Sequence, residues 1–144
     1  MPDATAAALR LRSAELADEL DKLCRRSDIR LLGLFGSAVR PPDSASEPND
    51  LDVCVSFTHT GSNRRPSPSA VLRLLAELQD LASFHEVDLV LLDGADPVLR
   101  AEALGGVGLF EASPGAWAES QIAAIAERWD TAWLRRLDLE ALAG

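Results

Sequence analysis

The chain has 144 residues, with 23 acidic against 14 basic side chains and a formal charge of −9; hydrophobic residues make up 47% and charged residues 26%. This length favours one domain with a substantial core, so residues 1–144 are expected to form a single unit. Charges recur too often for a membrane span, and the N-terminus lacks a signal-type apolar stretch, so a cytoplasmic protein without membrane association is expected. The acid excess and the single lysine, Lys22, argue against direct nucleic-acid binding, which needs clustered Lys and Arg.

Residues 5–26 are rich in Ala, Leu, Glu and Arg, and Leu9, Leu16, Leu20 and Leu23 recur at helical spacing, which predicts one helix. Ser27-Asp28 breaks it. Residues 29–35 form an apolar run that reads as a buried strand ended by Gly36, and Ser37-Ala38-Val39-Arg40 opens a short helical turn. Residues 41–49 are a proline-rich polar loop, residues 51–57 a second strand, and residues 58–69 another loop. Ser69 is expected to cap a helix running to Phe84, with Val71, Leu74, Leu75, Leu78 and Leu81 as its stripe.

A third strand is expected over 86–92. Asp96-Pro97 starts the next helix, which ends near Gly105-Gly106. Residues 107–111 read as a short fourth strand, and Pro114 opens a final helix over about 114–137 carrying Trp117, Trp129 and Trp133. The catalytic α/β core therefore spans about 29–111, followed by a C-terminal helix. Those tryptophans read first as core, because aromatic stripes on helices usually pack inward; a partner-binding face is the alternative. Cys24 and Cys54 have no metal-ligand spacing with each other or with His59 and His85, so neither disulfide nor zinc is expected.

Two segments carry chemistry. Strand side chains alternate faces, so Asp50 and Asp52 project side by side. Paired carboxylates repel unless a cation sits between them, and oxygen ligands of this kind suit Mg²⁺. Asp88 lies within the apolar run 87–92, where an ionised carboxylate is costly unless paired or metal-bound. If its strand lies beside that of Asp52, three carboxylates converge, an arrangement that holds two metal ions for an in-line displacement. Gly36 permits close approach of backbone to ligand, and the N–H groups after it sit at a helix start that favours anions. The Ser37 hydroxyl is a phosphate donor, and Arg40 either reaches a triphosphate or pairs with a nearby acid. Each part also has an ordinary reading: Gly-Ser as a turn, Asp-x-Asp as a strand-start cap, Asp88 as a paired buried acid, Arg40 as a surface charge. Their order on consecutive strands favours the functional one.

At these positions the chain resembles the minimal nucleotidyltransferases of the DNA polymerase beta superfamily. The matching segments are Gly33 to Arg40, Asn49 to Val53 and Glu86 to Val90, with twelve residues between Ser37 and Asp50. The resemblance implies an α/β (α+β) fold: a small mixed sheet with helices packed on one side, plus the C-terminal helix. It implies two Mg²⁺ ions and ATP as substrate. By position, Asp50 and Asp52 bind both metals, Asp88 binds one and helps activate the acceptor hydroxyl, and Gly36 and Ser37 hold the triphosphate. Two positions depart from the family's usual residues: Pro41 follows the arginine where Gly is common, and Asn49 precedes the first aspartate where Ser or Thr is common.

Many short members resemble antitoxins encoded with HEPN-domain toxins, which they silence by transferring AMP to the toxin. The resemblance thus implies an AMP-transferring antitoxin with a HEPN toxin as partner. Two alternatives stand beside it: a non-catalytic antitoxin that masks its partner, and a small-molecule adenylyltransferase of the aminoglycoside type. The latter has little room for a second substrate-binding domain in so short a chain, unless a homo-oligomer supplies the missing wall.

Overall fold

A computed structural model describes residues 3–40, 50–58 and 66–143, with the side chains of α5 described up to Asp130 and at Arg136. The element order is α1 (Ala4–Leu11), a 3₁₀ turn (Ala14–Leu16), α2 (Ala17–Arg26), β1 (Ile29–Phe35), β2 (Leu51–Phe57), α3 (Pro68–Ala82), β3 (Val87–Leu91), α4 (Pro97–Leu104), β4 (Val107–Glu111) and α5 (Ala116–Ala143).

The expected helix over 5–26 is two helices. Asp3 caps α1 by accepting from the Ala6 N–H at 2.7 Å. At the other end the Ser13 hydroxyl donates to the Arg10 carbonyl at 2.7 Å and the chain turns through the 3₁₀ segment. A serine that bonds its own backbone competes with helix continuation. The break resets the helical phase, so Ala4, Ala7, Ala8 and Leu11 face the core, while Leu9 is 60% exposed.

The strands form one mixed sheet in the order β3-β2-β1-β4. β1 pairs antiparallel with both β2 and β4, and β2 pairs parallel with β3. Side chains alternate across it. Leu32, Leu34, Leu51, Val53 and Val55 join the buried cluster of α1, α2 and α3, whereas Leu31, Phe35, Cys54 and Leu92 join that of α4 and α5. The helices therefore cover both faces, not one side as the resemblance implied. Coverage of both faces is also why β1 and β2 are continuous apolar runs rather than alternating ones.

Start signals place the later helices. α3 is capped by Ser67, not Ser69: its Oγ accepts from the Ala70 N–H at 3.2 Å, and Pro68 supplies a preset first helical φ. Asp96 caps α4 through the Leu99 N–H at 2.9 Å, with Pro97 following. α5 starts at Ala116 rather than Pro114. Gly115 takes a positive φ of +88°, and Glu111 at the end of β4 accepts from the Gly115 and Trp117 N–H groups at 3.1 and 3.0 Å. Those bonds hold the Glu111 carboxyl below its ordinary pKa. Arg100 ties α4 to its surroundings through the Leu92 and Ala95 carbonyls and Glu127 of α5.

Trp117 is packed on the sheet, where a Cβ on either Gly33 or Gly108, which pair across β1 and β4, would crowd its ring. Ile122, Ile125 and Trp129 are 68%, 46% and 74% exposed, so the expectation that the α5 aromatics are core holds for Trp117 and fails for Trp129; the Trp133 side chain lies outside the described residues. Cys24 and Cys54 are free and buried, and burial pushes both thiols up to about 12. Among the described residues no helix is long and apolar enough to cross a membrane.

The split of the first helical segment makes opposite predictions for Leu11, which is buried, and Leu9, which is exposed. Leu11→Ala is expected to cost about 2–5 kcal/mol in urea denaturation, and Leu9→Ala less than about 0.5 kcal/mol. Equal losses would contradict the break.

Candidate active site

β1 ends at Phe35 and β2 begins at Leu51, and the antiparallel register sets Phe35 opposite Asp52. Gly36 follows with φ +78°, a conformation that glycine adopts without strain. A Cβ there would collide with Asp52 Oδ2, so Gly36 lies directly against that carboxylate. The next residues make a single turn, not a continuing helix: the Val39 and Arg40 N–H groups both donate to the Gly36 carbonyl at 3.3 Å. The N–H groups of Ser37 and Ala38 precede those bonds, in the position where a helical turn presents donors outward. Ser37 is exposed and Ala38 buried, which anchors the turn.

The parallel register of β2 and β3 sets Asp52 opposite Asp88, so both side chains share one face. Cys54, on the same face of β2, contacts the Ala103 carbonyl at 3.9 Å, so this face lies towards α4. The Leu51 N–H donates to the Glu86 carbonyl at 2.8 Å, which brings Asp50 to the same sheet end. Asp50, Asp52 and Asp88 are thus assembled at one edge beside Gly36. Asp88 is exposed rather than buried, on a strand at the edge of the sheet.

Electrostatics register that crowding. The Asp52 carboxyl is raised above its ordinary 3.8, first by burial and then by Asp88, Asp50 and Glu102, with Arg40 opposing. Oxygen donors of this kind fit a hard divalent cation such as Mg²⁺. Among the described residues no three such side chains close tightly enough on one point to grip an ion by themselves.

Two neighbours escaped the sequence reading. Glu102 of α4 accepts from Arg40 Nη2 at 2.9 Å, which answers which acid Arg40 meets. No motif marks Glu102: it sits between two alanines and lies 62 residues from its partner. Asp93 accepts from the Ser56 hydroxyl at 3.1 Å and the Phe57 N–H at 3.1 Å, at the opposite end of β2. His85 is exposed and its carbonyl accepts from Gln79, while His59, Pro41 and Asn49 lie outside the described residues.

A carboxyl whose folded pKa is raised weakens the fold wherever it is ionised. That penalty is complete above the folded pKa and vanishes below the unfolded value of 3.8. Asp52→Asn is therefore expected to raise the thermal midpoint at neutral pH by on the order of a few °C. The gap to the unsubstituted chain should close as pH falls towards 3.8. Circular-dichroism melts across pH measure this, and a lowered midpoint at neutral pH would contradict the repulsion.

A family model described as polymerase beta, nucleotidyltransferase, matches residues 18–114. A search of curated proteins finds no match. Among solved structures, a chain from the complex of tri-AMPylated Shewanella oneidensis HEPN toxin with MNT antitoxin is similar at TM-score 0.59 and 20% identity, over 89% of this chain and 96% of that one. A chain of a toxin–antitoxin crystal structure with AMP-PNP gives 0.62 and 20%, over 89% and 98%. A chain of the MntA-HepT toxin–antitoxin gives 0.60 and 18%, over 92% and 100%. At these identities the likeness is one of fold, and it extends over nearly the whole of each chain. With the match over 18–114, the chain belongs to the polymerase beta nucleotidyltransferase family.

Proposed function

We propose that this chain is a cytoplasmic single-domain antitoxin that transfers AMP from ATP to a hydroxyl of a HEPN toxin. The observation that carries the reading is the pairing of Asp52 with Asp88 beside the Gly36 turn. The acceptor is suggested by a structural relative whose HEPN toxin is tri-AMPylated, and the nucleotide by a relative crystallised with AMP-PNP.

In this reading the Gly36–Ser37 turn binds the triphosphate through backbone N–H groups and the Ser37 hydroxyl, and Arg40 adds a guanidinium. Asp50 and Asp52 would hold two Mg²⁺ ions and Asp88 one of them; when bound, such ions neutralise phosphate charge and orient the attacking and leaving oxygens. Asp88 would also take the acceptor hydroxyl's proton, a role its exposure supports. The acceptor oxygen then bonds to the α-phosphorus while the bond to the pyrophosphate oxygen breaks. Gly36 keeps the turn close to Asp52, which in this reading brings the bound triphosphate near that carboxylate.

The exposed Ile122, Ile125 and Trp129 on α5 favour a second reading, in which masking of the partner supplies part of the neutralisation. One experiment separates the two. Labelled AMP incorporation into the purified toxin is measured with the unsubstituted chain and with Asp50→Ala. Loss of one ligating carboxylate is expected to lower incorporation at least about 100-fold, with toxin neutralisation lost in parallel. Equal labelling removes the role of Asp50, and full neutralisation without labelling favours masking.

A further inference from the structure

Arg40 closes the turn that begins at Gly36, and its Nη2 reaches Glu102 Oε1 on α4 at 2.9 Å. Both side chains are largely exposed, 61% and 48%, and an exposed ion pair adds little to folding stability. Its location is the informative feature. The Arg40 N–H donates to the Gly36 carbonyl at 3.3 Å and Gly36 lies against Asp52, so the pair stands beside the carboxylates. α4 is fixed there by independent contacts: Cys54 against the Ala103 carbonyl, and Asp96 capping the helix start. Glu102 therefore sits on a rigid element, whereas Arg40 follows a single turn.

A guanidinium presents five N–H donors in a planar fork. Among the described residues Arg40 uses one of them, on Glu102. An unheld arginine also has more side-chain freedom to lose when it grips a ligand. Resting on the nucleotidyltransferase reading above, we propose that Glu102 is a positioning residue: it holds the Arg40 guanidinium beside the Gly36–Ser37 turn, with its remaining donors available to the triphosphate of the incoming nucleotide. Glu102 thereby sets nucleotide affinity through Arg40 and touches neither nucleotide nor metal itself.

The sign of one substitution tests this. Glu102 is an anion beside a site for an anion, so simple charge repulsion predicts that Glu102→Gln tightens nucleotide binding. Positioning predicts the reverse. The dissociation constant of AMP-PNP is measured by calorimetry with Mg²⁺ present for the unsubstituted chain, Glu102→Gln, Arg40→Gln and the double variant. Glu102→Gln is expected to weaken binding about three- to fivefold, the scale of one exposed charge pair. In the Arg40→Gln background it should produce no further weakening. The KM for ATP should rise by the same factor with kcat changed less than about twofold, and the thermal midpoint should not move. Unchanged or tighter binding by Glu102→Gln overturns the inference, as does an equal loss in the Arg40→Gln background. Absence of binding by the unsubstituted chain overturns the nucleotidyltransferase reading itself and this inference with it; normal binding unaffected by Glu102→Gln overturns this inference alone.

Discussion

Two carboxylates held side by side on neighbouring strands repel, and here the parallel register of β2 and β3 leaves Asp52 and Asp88 no choice but to face each other. The rest of the active edge is organised around that constraint. Asp50 adds a third negative charge at the same sheet end, and Gly36 lies so close to Asp52 that no side chain could replace its hydrogen. The protein stores an electrostatic cost at the place where it is expected to meet a cation and an anionic substrate. Such local costs are tolerated when the surrounding structure holds the groups in place.

The holding is done by coverage of the sheet on both faces. β1 and β2 are buried between α1, α2 and α3 on one side and α4 and α5 on the other. A one-residue slip would send every side chain to the opposite face, so the larger side chains packed in one core would have to fit the space shaped around the other. The register that pairs Asp52 with Asp88 is therefore fixed by Leu51, Val53 and Val55 on one face and Cys54 on the other. α4 has a double part: it covers Cys54 through Ala103 and presents Glu102, its preceding residue, to Arg40.

All four strands were legible in the sequence, because largely apolar runs between turn residues leave few other choices. That Asp50 and Asp52 lie on one face follows from a local alternation of two, whereas the pairing of Asp52 with Asp88 depends on the register between β2 and β3. Less of the remainder was legible. The split between α1 and α2 hinges on one serine hydroxyl, and leucine spacing alone does not register it. Ser67 rather than Ser69 caps α3, because the proline after Ser67 fits the first helical position and two serines in one loop look alike in sequence. Asp88 reads as buried from its apolar neighbours, yet edge position is a property of the whole sheet. Glu102 carries no local signal, since what distinguishes it is a contact across 62 residues. Trp117 and Trp129 share a helix but not a fate, because only the first lies over the Gly33–Gly108 pair.

Burial and the neighbouring Asp88 and Asp50 raise the Asp52 carboxyl, and the proposed function requires that a divalent cation with nucleotide relieve this. The direct measurement is the thermal midpoint of the unsubstituted chain and of Asp88→Asn, each with and without Mg²⁺ and AMP-PNP. A ligand at 100 times its dissociation constant stabilises the folded state by about 2.7 kcal/mol, so the unsubstituted chain should gain several degrees only when both metal and nucleotide are present, and Asp88→Asn should gain little. An equal gain in both proteins, or a gain from nucleotide without metal, would contradict it.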